Sequence, residues 1–274
     1  MAKSMKKTRI VFLGAGNMAE ALVRGVLRGR IVKPAEVVVT DVRSERLRHF
    51  RKKYKVCGEQ DNRNAVRRAN VVVLSVKPQQ FGELLAEICT ALPKRTLVLS
   101  IAAGIRTVRI EKALGKGTRV VRAMPNTPAL VGAGIAGLCK GRWATDADMA
   151  CAETILGAVG MTVRVREADM DAVTALSGSG PAYVFYFVEA MLEAARKLRM
   201  DGDTARKLIQ ETFRGAAHLL AETGEHPAVL RERVTSKGGT TAAALDRLRA
   251  HKVGDGIKVA LLAAHRRSKE LSGM

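Results

Sequence analysis

Over its first 165 residues the chain alternates short aliphatic runs with longer stretches whose apolar positions recur at helical spacing. The aliphatic runs fall at 8–13, 36–40, 71–76, 96–101, 118–123 and 161–165. Runs of Val, Leu and Ile without polar alternation predict strands covered on both faces, hence a mostly parallel sheet. Helical patterns at 62–69, 79–91, 105–114 and 146–158, and one ending near Gly29, separate them. Strands alternating with helices predict a doubly wound α/β unit. Beyond about residue 165 no strand pattern recurs. Ser177-Gly178-Ser179-Gly180 predicts a turn, with Ser179 as N-cap and Pro181 in the first turn of a helix. That helix opens with Tyr183, Val184, Phe185, Tyr186, Phe187 and Val188 in succession and meets no Gly or Pro before Gly202. A start apolar all round requires packing on every side, from a large core or a second subunit. Further helices are predicted at 203–223, 226–234, 240–250 and 256–271. The expected organisation is an N-terminal Rossmann-type domain over 1–165, then an all-α C-terminal domain over 166–274.

Composition narrows this picture. With 274 residues and 47% hydrophobic content the chain can bury a substantial core. No run approaches the length of a membrane span, and the N-terminus enters strand chemistry without a signal-type apolar region, so a cytoplasmic protein is expected. Cys57, Cys89, Cys139 and Cys151 form no CxxC pair; buried free thiols are expected, and no metal site. The formal charge of +21 is spread along the chain. Aromatics are only 4%, and no basic stripe or stacking platform accompanies the charge, so no specific nucleic-acid partner is expected. A diffuse positive field instead steers anionic small molecules.

The first aliphatic run leads directly into Gly14-Ala15-Gly16-Asn17-Met18-Ala19, a GxGxxA between strand and helix. In that context Gly14 permits the tight turn, Gly16 lets a pyrophosphate approach the backbone, and Ala19 keeps helix and strand close. The second strand ends at Thr40, Asp41 and Arg43. An acid there suits the ribose 2′-hydroxyl of NAD and an Arg the 2′-phosphate of NADP; the basic surroundings favour NADP(H), with NAD(H) the alternative. The other role open to Asp41 is a helix N-cap. Later strand ends carry Lys77-Pro78, Ala102-Ala103-Gly104 and Met124-Pro125-Asn126-Thr127-Pro128, on the edge where open α/β sheets bind ligands. In the helical half, Ser236-Lys237-Gly238-Gly239-Thr240-Thr241 reads as an anion-receiving nest or as an ordinary helix cap. In the first case the N–H groups of Gly238, Gly239 and Thr240 take a carboxylate, and Thr241 or Ser236 meets a polar atom beyond it.

Together these segments resemble the pyrroline-5-carboxylate reductases. The matching residues are GAGNMA from Gly14, SVKPQ from Ser75, AAG from Ala102, MPNTPA from Met124, LSGSGPAY from Leu176 and VTSKGGTT from Val234. The resemblance implies NAD(P)H-dependent reduction of a cyclic imine, 1-pyrroline-5-carboxylate, to L-proline. It also implies a homo-oligomer through the C-terminal helical domain, with a dimer as the unit and decamers among the larger rings. By position it places Gly14, Ala15, Gly16, Asn17, Met18 and Ala19 at the pyrophosphate and Thr40, Asp41 and Arg43 at the 2′-phosphate. Asn62, Ser75, Val76, Lys77, Pro78, Ala102, Ala103 and Gly104 fall against the cofactor. Gly239, Thr240 and Thr241 match the substrate loop, with Thr241 near the imine nitrogen; the residues themselves add Asn126, Ser179 and Gly238 on the substrate side and Ser236 and Lys77 beside Thr241 as catalytic candidates. The family commonly has Pro where Lys237 stands, and either Glu222 or Glu225 matches its acid before the His-Pro pair. Related β-hydroxyacid dehydrogenases generally have a lysine on the interdomain helix, and here none occurs before Lys197.

Overall fold

The computed structural model describes residue 5 and residues 8–273. Contacts gather these into two compact units: one runs to Ser179 and takes in the C-terminal residues from Ala264, and the other is Gly180–Ala263.

The first unit is built on one sheet of eight strands. These are β1 (Ile10–Leu13), β2 (Val37–Thr40), β3 (Cys57–Glu59), β4 (Val71–Leu74), β5 (Leu97–Ser100), β6 (Arg119–Pro125), β7 (Gly134–Lys140) and β8 (Gly160–Arg164). Their order is β3-β2-β1-β4-β5-β6-β7-β8, and every neighbouring pair is parallel except β6 and β7. The sheet therefore reverses its winding between β1 and β4, which opens a crevice at their carboxyl ends. Helices α1 (Asn17–Arg28), α2 (Ser44–Tyr54), α3 (Asn62–Val66), α4 (Phe81–Ile88), α5 (Thr107–Leu114), α6 (Asp146–Gly157) and α7 (Met170–Val173) complete the unit.

Strand β1 explains why polar alternation is missing from the aliphatic runs. Ile10 and Phe12 join Val23, Val26, Phe50 and Ile155 in one core, while Val11 and Leu13 join Val66, Leu85, Ile88 and Ile110 in another. All four β1 side chains are fully buried. Each such burial contributes roughly 1.5–3 kcal/mol, so β1, covered on both faces, is apolar throughout.

Several elements depart from expectation. β7 was not predicted, because its Gly134-Ile135-Ala136-Gly137 start looks like loop sequence. Gly137 is a packing requirement: an added Cβ would lie 2.8 Å from Val173 Cγ1, on α7. α2 was hidden within a basic cluster, with only Leu47 and Phe50 buried along it. The expected turn at Ser177–Gly180 does not form. Thr174–Gly178 is a π-helical segment closed by Ser179 N–H on Thr174 O at 2.8 Å, and Ser179 keeps helical angles (φ −85°, ψ −19°), so it caps nothing. The expectation of buried thiols holds fully only for Cys139; Cys89 and Cys151 are half-buried and Cys57, on the short edge strand β3, is exposed. Burial pushes the Cys139 thiol up to about 12 and Cys151 up to about 11.

The second unit is helical: α8 (Gly180–Lys197), α9 (Gly202–Thr223), α10 (Pro227–Arg233), α11 (Thr240–Ala250) and the first part of α12 (Val253–Gly273). Of its apolar side chains only Ala195, Ala205 and Ile209 are buried, while Phe185, Tyr186, Leu198, Leu208, Val259 and Leu262 lie exposed. Among the described residues no helix is long and apolar enough to cross a membrane.

Candidate functional site

The crevice at the winding reversal holds a cleft of about 480 Å³, lined by Gly14, Gly16, Thr40, Asp41, Arg43, Asn62, Ser75, Val76 and Lys77 among others. These nine were all picked from sequence, and they come from the carboxyl ends of β1, β2 and β4 and from the start of α3. Val42, Gln60, Gln80, Glu83, Leu84 and Glu87 also line it and were not. The spacing Glu83, Leu84, Glu87 on one face of α4, just after the Lys77-Pro78 turn, was the available signal.

The glycine loop is shaped for close approach. Gly14 has φ +102°, which favours glycine, and an added Cβ would stand 2.9 Å from Ser75 O. Ser75 Oγ lies 2.8 Å from Gly14 O and 2.9 Å from Leu13 O, able to donate to either, so β4 braces the loop. Gly16 is the N-cap of α1, without a side-chain cap, and nothing lies within 4 Å of where its Cβ would be. The first N–H groups of α1 are therefore left without intrahelical partners, beside open space. A helix start of that kind receives phosphate through backbone donors and the helix dipole. The constricted Gly14, the open Gly16 and the cleft volume fit a dinucleotide. Of the other loop residues, Ala15 and Ala19 are buried, Met18 is half-buried and Asn17 is exposed; they shape the loop without lining the cleft.

At the end of β2 the expected roles change. Asp41 is neither a helix cap nor an open carboxylate. Its Oδ2 accepts the Ala15 N–H at 2.9 Å, and its Oδ1 accepts from Arg43 N at 2.9 Å and Arg43 Nε at 3.0 Å. Burial pushes the Asp41 carboxyl up, but Arg43 and the two backbone donors outweigh it and hold the group below the usual carboxylate range. Arg43 is half exposed and lines the cleft, presented there by Asp41. Thr40, expected to donate to phosphate, is buried and donates to Asn62 Oδ1 at 2.6 Å. Asn62 in turn donates to Glu87 Oε2 at 2.9 Å.

The remaining picks of this unit divide between the cleft and the rest of the fold. Lys77 is exposed at the cleft, its backbone extended ahead of Pro78 as proline demands. Pro78 and the Ala102-Ala103-Gly104 turn do not line the cleft. Gly104 (φ +75°) instead has Leu271 O 3.3 Å from where its Cβ would be. Asn126 Oδ1 accepts the Ile135 N–H at 3.0 Å and so fixes the entry into β7.

In the helical unit the Ser236–Thr241 segment is a tight turn into α11. Gly238 has φ +71°, a conformation that favours glycine, and a Cβ on Gly239 would displace the Ser236 hydroxyl from its present rotamer. Gly239 N–H donates to Ser236 O at 3.0 Å. That amide is thereby removed from the expected nest. The first N–H groups of α11, those of Thr240 and Thr241, have no intrahelical acceptor, and Gly239 as N-cap supplies no side-chain cap. Thr241 is half-buried and Ser236 exposed. Glu225, one of the two candidate acids, is paired with Arg233 at 2.6 Å.

Comparison with known proteins places these features in context. Residues 167–271 match the family described as pyrroline-5-carboxylate reductase dimerisation, and residues 9–104 match that described as NADP oxidoreductase, coenzyme F420-dependent. A pyrroline-5-carboxylate reductase of Methanosarcina acetivorans is 40% identical, over 97% of this chain and 99% of the relative. The structure of a pyrroline-5-carboxylate reductase from Coxiella burnetii superposes with a TM-score of 0.90 at 41% identity, over 97% of this chain and 98% of the other. That of the Plasmodium falciparum pyrroline carboxylate reductase, with NADP bound, gives 0.89 at 28% identity, over 98% and 100%.

Proposed function

The chain belongs to the pyrroline-5-carboxylate reductase family, and on that footing we propose that it reduces 1-pyrroline-5-carboxylate to L-proline with NADPH, the last step of proline biosynthesis. The observation that carries the reading is the cleft at the winding reversal, where a glycine loop, an uncapped helix start and an outward arginine converge. When bound, NADPH supplies the hydride equivalent that saturates the C=N bond.

The roles of the chain's own residues follow from their positions. Gly14 and Gly16 admit the pyrophosphate to the backbone, and the first N–H groups of α1 receive it. Arg43, aimed by Asp41, takes the 2′-phosphate, which favours NADPH over NADH. Lys77 adds a cation at the same edge. In the helical unit the Thr240 and Thr241 N–H groups take the substrate carboxylate, and the dipole of α11 reinforces them. The Thr241 hydroxyl orients the imine nitrogen. A protonated imine is already electrophilic, so an orienting hydrogen bond suffices, and a hydroxyl is too weak an acid to be the proton source near neutrality. Productive reduction requires the reacting atoms to lie about 3–3.5 Å apart, so positioning supplies much of the rate.

The exposed apolar side chains of the helical unit are the surface for self-association. We take the dimer as the unit, with decamers built from it, in the cytoplasm. The test is steady-state NADPH and NADH oxidation with 1-pyrroline-5-carboxylate, with L-proline identified as product. The expected result is turnover with both cofactors and a higher kcat/KM with NADPH. Tight NADPH binding without proline formation would overturn the substrate assignment.

A further inference from the structure

We propose that Arg46, held by Glu20, is a positioning residue for the dinucleotide pyrophosphate and acts through the Ala15–Gly16 peptide. The proposal rests on the glycine loop being the pyrophosphate site. Arg46 does not line the cleft. Its Nε donates to Ala15 O at 2.9 Å, its Nη2 donates to Glu20 Oε2 at 2.8 Å, and its guanidinium lies over the Phe50 ring at 5.4 Å from the centroid. Phe50 is fully buried, so this arginine is fixed on three sides.

Both ends of residue 15 are therefore clamped by side chains. Asp41 accepts its N–H and Arg46 donates to its C=O. The second clamp matters most for phosphate. A trans peptide is planar, and the carbonyl of residue 15 and the N–H of residue 16 point in opposite directions across it. Anchoring Ala15 O toward α2 thus aims the Gly16 N–H away from α2. Gly16 lines the cleft, has no Cβ to brace it, and has open space beside it, so nothing at Gly16 itself fixes the plane. Without Arg46 the peptide is free to rotate, and the loop's first phosphate donor loses its direction.

Glu20 is the keystone behind the arginine. Besides Arg46 it receives His49 Nε2 at 2.8 Å, Lys53 Nζ at 3.1 Å and the Tyr54 hydroxyl at 2.9 Å, three more groups of α2. Burial alone would raise the Glu20 carboxyl; these donors and Arg46 together hold it far below the usual range. Glu20 therefore stays ionised and ties α2 to the first turn of α1, whose N-terminal donors form the phosphate site.

The experiment measures the NADPH Kd by fluorescence titration, kcat and both KM values, and the Tm, for wild type, Arg46→Ala, Arg46→Lys, Glu20→Gln and Gly16→Asp. Arg46→Ala is expected to raise the NADPH Kd on the order of 10-fold, the cost of one misdirected charge-assisted contact. The kcat at saturating NADPH and the imine KM should stay within about threefold, because Arg46 does not touch the chemistry. Lysine reaches one acceptor where the arginine fork reaches two, so Arg46→Lys should recover only part of the loss. Glu20→Gln should shift the Kd in the same direction, by less, and decides the matter if Arg46→Ala does not fold. A folded Arg46→Ala that loses Tm but binds NADPH within twofold of wild type overturns the proposal. Gly16→Asp separates this failure from that of the loop assignment. Weak binding by Gly16→Asp with normal binding by Arg46→Ala removes only the role of Arg46, whereas normal binding by Gly16→Asp removes the loop reading itself.

Discussion

Replacing Gly16 with Asp sets stability and binding against each other. Gly16 sits at φ −73°, ψ 178°, extended backbone that any residue adopts, and an added Cβ meets nothing within 4 Å. The substitution therefore brings no strain. Asp at an N-cap accepts a hydrogen bond from an early helical N–H, a gain of a few tenths of a kcal/mol over Gly. Negative charge at a helix start adds about 0.3–1 kcal/mol. The unliganded variant should thus melt roughly 2 °C above wild type. For NADPH the sign reverses, because the carboxylate occupies the donors meant for phosphate and opposes its charge. Two like unit charges about 4 Å apart at an effective dielectric of about 20 repel by roughly 4 kcal/mol. If counterions and water remove half of that, the remainder weakens NADPH binding on the order of 30-fold. Calorimetry of the unliganded protein and a fluorescence titration read the two effects separately. A variant that melts higher and still binds NADPH as wild type does would refute the placement of the phosphates on α1.

Thr241→Ala should lower kcat/KM for the imine by a factor on the order of 10–100, the loss of one orienting hydrogen bond, while the NADPH Kd holds; unchanged kinetics would remove Thr241 from the site. Arg43→Ala should raise the NADPH KM about 10-fold and leave the NADH KM unchanged, which steady-state rates with both cofactors test. Asp171 accepts from Ser268 at 2.7 Å and Ser272 at 2.9 Å; burial pushes its carboxyl up, but these hydroxyls, Arg122 and Arg106 outweigh it and leave it below its ordinary value. Its stabilising contribution is complete above the unfolded carboxylate pKa of about 3.9 and is lost as pH falls through the lower folded value. Thermal melts between pH 5 and 2 should accordingly fall less steeply for Asp171→Asn than for wild type.

The parts legible in the sequence were those where one residue type admits one explanation. Aliphatic runs without alternation marked the central strands, since β1 and β4 are buried on both faces. Gly14 and Gly16 between a strand and a helix marked the cleft. The unreadable parts depended on partners distant in sequence. Ser179 and Pro181 carry cap chemistry, yet the chain at Thr174–Gly178 widens into a π-turn and continues helical. β7 was concealed because its glycines answer to neighbours outside it, Gly134 to Ala129 and Gly137 to Val173 on α7, and not to the strand itself. In the sequence Asp41 suits either a ribose contact or a helix cap; the fold turns its carboxylate onto the Ala15 N–H. The basic run in α2 carried no signal of its partner, for Arg46, His49, Lys53 and Tyr54 converge there on Glu20, in α1. The spacing of Leu47, Phe50 and Tyr54 was the helical cue within it.

The sparse interior of the helical unit carries a consequence for how the protein behaves on dilution. Gly180–Ala263 encloses only two alanines and an isoleucine, far too little to repay the loss of chain freedom for five helical segments. Its native state is thus completed by another copy, and its melting temperature becomes a matter of mass action. Halving the subunit concentration should lower the midpoint of the transition, and mutations far from either ligand that weaken self-association will register as losses of thermal resistance.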